Sequence, residues 1–201
     1  LPASIRDSGC RVVYVTRDPK DVFVSLVHFR REVRHSAGTP LDMDALFESF
    51  CSGVSPYGPV WEHALEYWNE SLRRPGKVQV VGYEEMKGDP PGSLKKLAAF
   101  LGCPFSAEEE REGLVEEISE LCSFQSLSGL DVNKSGVLDK SKSIVVERKS
   151  YFRLGQVRDW RNHLTPEHAD RLDRIDHPRE AAGNRPEAFL GTIHHSSCLN
   201  K

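Results

Sequence analysis

An α/β fold built on a parallel sheet is predicted by three observations: two short β-branched runs, a helix that follows directly on the first of them, and long amphipathic stretches in between. The first run, Arg11-Val12-Val13-Tyr14-Val15, lies between Gly9 and Asp18-Pro19 and reads as a buried strand. Asp18 is a good helix N-cap, and Pro19 suits the first helical position, where a missing N–H costs nothing. Val22, Phe23, Leu26, Val27 and Arg30 continue at helical spacing, so the first unit is strand, tight turn and helix. Asp42 to Ser52 forms a second predicted helix, and Pro59 to Arg74 a third, with Val60, Trp61, Ala64, Leu65, Trp68 and Leu72 as its apolar stripe. That stripe is core. Pro75-Gly76 ends the helix, and Lys77 to Tyr83 is the second strand, followed by an acidic turn at Glu84-Glu85. Helices are then expected at Pro90–Leu101 and at Ser106–Leu121, the latter opening with Ser106 and Glu109 in capping-box register. Ser123 to Ser150 is turn-rich and aperiodic, which predicts a long loop or lid. A last helix starts at Thr165-Pro166-Glu167 and carries Leu172 and Ile175. Alternation of strand and helix implies helices on both faces of the sheet, a three-layer sandwich.

The chain has 201 residues, enough for one sizeable core. Its net charge of −3, with acidic and basic residues mixed, argues against a nucleic-acid or membrane surface, so an anion site must be local. Apolar stretches fall short of the ~20 residues that span a bilayer, and the start has no secretory-signal pattern. Cys10, Cys51, Cys103, Cys122 and Cys198 are scattered without CxxC pairing, as expected of free thiols in a reducing cytosol. The chain begins with Leu rather than Met, the start of a processed chain or a fragment.

Ligands of such sheets sit beyond the C-terminal strand ends, where Arg17 and Tyr83 fall. Arg17 stands one residue before a helix N-cap, beside free backbone N–H groups at the positive end of the helix dipole. A phosphate suits that position, since Arg can grip two of its oxygens at once. Ser25, about two turns into the helix, could donate a hydroxyl to the same anion. A second reading stays open: Arg17 pairs with Asp18 or Asp21 and only braces the turn. Likewise Tyr83 and Phe124 read, on residue type alone, as core filling rather than ligand contacts. No Gly-Lys-Ser/Thr loop occurs, and the His194-His195-Ser196-Ser197-Cys198 cluster lacks partners at metal-binding spacing.

Tyr14-Val15-Thr16-Arg17-Asp18-Pro19-Lys20-Asp21, running on through Ser25-Leu26-Val27-His28-Phe29, resembles the 3′-phosphate segment of cytosolic sulfotransferases. These enzymes use 3′-phosphoadenosine 5′-phosphosulfate (PAPS). The resemblance continues in order through Tyr67 to Leu72, Val81 to Lys87, Leu97 to Pro104, Val132 to Gly136, Phe152 to Gly155 and Asp159-Trp160. It covers roughly Leu1 to Ile175 and is closest to the plant members. It implies a P-loop NTPase-like sulfotransferase fold over 1–175, incomplete at its N-terminal side, with a divergent, poorly ordered tail at 176–201.

By that resemblance Arg17 and Ser25 contact the 3′-phosphate, and Tyr83 touches the adenine. Cys122, Ser123 and Phe124 line the adenine, with Phe124 stacked on the base, a contact worth ~1–3 kcal/mol. Arg153 and Gly155 belong to the second phosphate segment, Arg153 supplying charge and Gly155 close backbone approach. Leu154 replaces the usual Lys and removes a cation. Arg158 stands where the family has Gly, either compensating that charge or obstructing the turn.

The implied activity is transfer of a sulfuryl group from PAPS to a hydroxyl of a small acceptor, without a metal, in the cytoplasm. No residue takes a catalytic role: the family's Pro-Lys-Ser-Gly-Thr-Thr-Trp-like 5′-phosphosulfate loop and its catalytic His have no counterpart here, and His28 is out of catalytic register. The chain as written is therefore expected to catalyse poorly, and to expose apolar surface where a sheet strand would lie. A non-catalytic protein that binds 3′-phosphoadenosine nucleotides is the alternative, and an unrelated nucleotide kinase would need a Walker lysine upstream. The family's dimer segment corresponds to Arg161–Glu167, which keeps Thr and Glu but not Val, so at most a weak homodimer is implied.

Overall fold

The computed structural model describes residues 3–32, 34–35, 41–55, 58–139 and 144–176. A short helix α1 (Ala3–Arg6) leads into strand β1 (Val12–Thr16) and helix α2 (Pro19–Glu32), the predicted strand–turn–helix unit. Asp18 caps α2 as expected, its Oδ1 accepting from the Lys20 N–H at 2.9 Å and its carbonyl from the Val22 N–H at 2.9 Å. After the two-residue strand β2 (Arg34–His35) come α3 (Met43–Cys51), capped by Asp42, and α4 (Val60–Arg73). Strand β3 (Val78–Gly82) pairs in parallel with β1, Val12 opposite Val78 and Thr16 opposite Gly82.

Helices cover both faces of this parallel pair, as the alternation predicted. On one face Tyr14 of β1 stacks on Tyr67 of α4, ring centroids 4.3 Å apart. Val13, Val15 and Val81 point the other way, across a cavity of about 460 Å³ toward α6 (Pro90–Leu101) and α8 (Leu114–Leu121). Val15, the fourth residue of β1, is 51% exposed, so this strand is less buried than its β-branched run predicted.

The largest buried cluster lies under α2. Phe23 and Val27 pack against Leu46, Phe47 and Phe50 of α3, Trp61 of α4 and Leu172 of α11 (Pro166–Asp176). Phe23 meets Phe47 edge-on at 5.2 Å, and each large side chain buried in this way contributes about 1.5–3 kcal/mol. One face of α2 is thus committed to the core, which fixes where its other face, with Ser25, His28 and Phe29, must point. Lys20 is buried too. Its ammonium reaches Asp173 of α11 and lies 4.9 Å from the Trp160 ring centroid, tying the last helix to the first turn of α2.

Four expectations need correction. Leu72 of the α4 stripe is not core but 56% exposed, and only Trp61 and Ala64 of that stripe are buried. Glu84-Glu85 is no simple turn: Tyr83–Gly88 forms the short helix α5, whose first turn these carboxylates occupy, favourably for its dipole. The stretch Ser106–Leu121 is two helices, α7 (Ala107–Arg111) and α8, because Gly113 turns left-handed at φ +80° between them. Ser123–Ser150 is not an aperiodic lid. It holds α9 (Phe124–Gly129), α10 (Asp131–Lys134) and strands β4 (Val137–Asp139) and β5 (Ile144–Glu147), followed by a 3-10 turn at Arg148–Tyr151. β5 pairs antiparallel with β4 and with β2, giving a second small sheet. Cys10, Cys51, Cys103 and Cys122 are unpaired, and no helix among the described residues is long and apolar enough to cross a membrane. The tail from His177, with the His194–Cys198 cluster, lies outside the described residues.

Candidate functional site

Register places the site. Because Thr16 and Gly82 are neighbours in the parallel pair, the residues that follow them, Arg17 and Tyr83, leave the sheet side by side. The Arg17 guanidinium lies over the Tyr83 ring, 4.5 Å from its centroid. Burial pushes the Tyr83 hydroxyl above its ordinary pKa, only partly offset by Arg17, so the phenol stays a donor at neutral pH.

Of the two readings the sequence left open, the contacts of Arg17 include the bracing one, to Asp21 rather than Asp18, beside a bond to Ser25. Its Nη1 donates to Ser25 Oγ at 3.2 Å, while Nη2 donates to the Gln156 carbonyl at 2.8 Å and stands 3.5 Å from Asp21 Oδ2. Its Nε is buried with no partner among the described residues. Arg17, Ser25, Tyr83, Phe124, Arg153 and Gly155 all line one cavity of about 820 Å³. Two segments far apart in sequence therefore converge on a single space. Ser123 does not line that cavity. It caps α9, accepting from Ser126 N–H, and faces the neighbouring 460 Å³ cavity that Tyr83 and Phe124 share.

The backbone does not supply the anion site in the way expected. The Asp18 N–H donates to Glu84 Oε1 at 3.0 Å, Pro19 has none, and the Lys20 N–H is taken by Asp18. Carboxylates thus already occupy amides at the start of α2, and burial, ahead of the neighbouring charges, raises the Asp18 pKa. Side-chain cations and hydroxyls, with Arg17 and Ser25 on the cavity wall, are donors that stay available to an anion here.

Gly155 is left-handed at φ +60°, and a Cβ there would lie 2.6 Å from Phe124 Cγ. The close approach this glycine permits is to an aromatic ring. Leu154, where a Lys would be usual, is 44% exposed at the cavity wall. Arg158 is left-handed as well, φ +62°, which explains why glycine suits the position: L side chains disfavour this region by roughly 1–2 kcal/mol. The turn forms nonetheless, so Arg158 strains it without blocking it. Arg158→Gly is expected to raise stability by about 1 kcal/mol in urea denaturation; a fall would mean that the Arg158 side chain holds the turn.

Two carboxylates stand behind the arginines: Asp21, which the sequence offered as a partner of Arg17, and Asp159, which it did not connect to Arg153. Asp21, 1% exposed, accepts from Arg158 N–H at 2.7 Å and from Trp160 N–H at 2.9 Å. Asp159, also buried, pairs with Arg153 Nη1 at 2.5 Å and accepts from Asn162 Nδ2 at 3.0 Å, with His163 Nε2 at 3.1 Å. Burial works to raise the Asp159 pKa, but Asn162, Arg153 and His163 hold it below the ordinary carboxylate range. Asp21 was visible as a brace within the Arg17 turn, Asp159 only as a member of the Asp-Trp pair. His28 also lines the cavity, and burial, then Arg153 and His163, lowers its pKa and favours the neutral ring. Phe29 and Tyr151 form an aromatic wall of the same cavity, ring centroids 5.2 Å apart.

A parallel pair with Arg17 and Tyr83 at its carboxyl end, sharing one cavity with Arg153, defines an α/β protein with a cationic cleft. The sulfotransferase domain family matches residues 1–184, and the chain belongs to that family. Cytosolic sulfotransferase 3 of Arabidopsis thaliana is 48% identical over 176 residues, 87% of this chain and 54% of the relative. Flavonol 3-sulfotransferase of Flaveria bidentis is 43% identical over 175 residues, 87% of this chain and 56% of the relative. Among solved structures, a mouse sulfotransferase complexed with PAP superposes with a TM-score of 0.72 at 28% identity, covering 94% of this chain and 64% of that one. The chain spans about half the length of the plant relatives it matches.

Proposed function

We propose that this chain carries the 3′-phosphate and adenine half of a PAPS site, and that the activity it serves is sulfuryl transfer from PAPS to a hydroxyl of a small acceptor. One observation carries the reading: Arg17 with Ser25, and Arg153 with Gly155, come from opposite ends of the described chain and face one cavity. The residues present fit the nucleotide. Arg17 has a buried N–H on Nε that lacks an acceptor, Ser25 has a hydroxyl hydrogen to give, and Arg153 adds a second guanidinium. Phe124 offers its ring and Tyr83 a protonated hydroxyl to a base. PAPS supplies the sulfuryl group. The work of these residues is to fix the nucleotide by its far phosphate, so that the reacting end is held in one place.

A flavonol is the substrate named for one close relative, and the Phe29–Tyr151 wall would suit a flat phenolic acceptor. The names of several relatives include the word cytosolic, which supports a cytosolic setting. Calorimetric titration with 3′,5′-bisphosphoadenosine and with adenosine 5′-monophosphate tests the reading. The wild-type chain is expected to prefer the bisphosphate, and Arg17→Ala to weaken its binding roughly 100-fold. Equal affinity of the wild-type chain for the two nucleotides would sink it.

A further inference from the structure

The second arginine of the cleft is held from behind by a two-step arrangement of buried carboxylates. Arg153 gives one N–H to Asp159 at 2.5 Å, which leaves its other donors for the cavity it lines. Asp159 stands on the 3-10 turn Asp159–Asn162, and that turn is fastened at its start to α2 by Asp21, through the Arg158 and Trp160 amides. The same Asp21 lies 3.5 Å from Arg17, and Gln156, just before the turn, takes another Arg17 N–H through its carbonyl. Orientation of both guanidinium groups therefore passes through one short turn.

We propose that Asp159 is a positioning residue for the 3′-phosphate: it aims Arg153, and Asp21 fixes where Asp159 stands. The proposal rests on the nucleotide reading above and deepens it. A free arginine side chain samples many rotamers, and a phosphate that captures it must order it; an arginine already held by a carboxylate needs less ordering. The acid is also placed to serve this role without competing for the ligand. Asn162 and His163 take further lone pairs of Asp159, so its remaining capacity is turned to protein groups rather than to the cleft.

The test compares 3′,5′-bisphosphoadenosine with adenosine 5′-monophosphate by calorimetry on the chain and its variants. Asp159→Asn, which keeps the shape and removes the charge, is expected to weaken the bisphosphate on the order of tenfold while leaving the monophosphate unchanged. In an Arg153→Ala background Asp159→Asn should cost nothing more, since its effect runs through Arg153. Arg153→Lys keeps the charge at an accessible position but cannot serve Asp159 and a phosphate with one planar fork. It is expected to lose most of the same preference, and it decides the matter if Asp159→Asn does not fold. An unchanged preference in Asp159→Asn, an equal loss for both nucleotides, or full preference in Arg153→Lys would overturn the proposal. A wild-type chain without preference for the 3′-phosphate would overturn the nucleotide reading, and this proposal with it.

Discussion

Asp21→Ala is expected to destabilise the folded chain by about 3–5 kcal/mol, the cost of breaking a buried ionic cluster from one side. The Arg158 and Trp160 amides lose their acceptor at once, and the nearby Arg17 guanidinium loses its closest carboxylate. Water does not easily replace the carboxylate, because Asp21 is 1% exposed. Asn is expected to rescue only part of the loss, since its amide nitrogen would face one of the two backbone N–H groups. Urea denaturation of the two variants measures the effect. A loss below about 1 kcal/mol for Asp21→Ala would mean that the turn is held by something other than this carboxylate.

Gly155→Ala is expected to cost about 2–4 kcal/mol, from two sources that can be separated. The left-handed backbone at φ +60° disfavours any side chain, and the new methyl collides with the Phe124 ring, at 2.6 Å from its Cγ. Either the ring moves out of the cavity or the 153–157 segment does. Nucleotide binding should fall along with stability, because both line the same space. Shrinking the ring in a Phe124→Leu background should recover the steric part and leave the backbone part, about 1 kcal/mol. Full recovery would show that the backbone conformation at 155 carries no cost.

The regular elements were legible because they obey local rules. β1, α2, α4 and β3 announce themselves through a β-branched run, an N-cap followed by proline, an apolar stripe and a Pro-Gly stop. The break at Gly113 was not legible: a glycine inside a periodic stretch is often tolerated, and only the left-handed φ reveals that it ends one helix and starts another. Short helices α9 and α10 were missed because single-turn elements rest on caps and tertiary contacts, such as Ser123 to Ser126 and Arg148 to the Val132 carbonyl.

At the site, positively charged residues could be picked out by their place at a strand end and by the resemblance. Of their carboxylate partners only Asp21 could, as the i,i+4 neighbour of Arg17; Asp159 looks solvated until its turn closes against α2. Glu84 shows the same failure most sharply. Read as part of an acidic turn, it is the group that fills the Asp18 amide, and so it changes what the start of α2 has to offer an anion.

The link from Arg17 to the Gln156 carbonyl spans 139 residues. Bringing chain ends that far apart together costs on the order of 4 kcal/mol in loop-closure entropy, so this corner is among the more expensive parts of the fold to assemble. On the proposed reading, a nucleotide that grips both sides of it acts as a removable cross-link between residues 17 and 156. Its binding energy is returned to the folded state in proportion to the logarithm of its concentration. Resistance to proteases would then rise with the concentration of added nucleotide, because the bound phosphate keeps this corner closed.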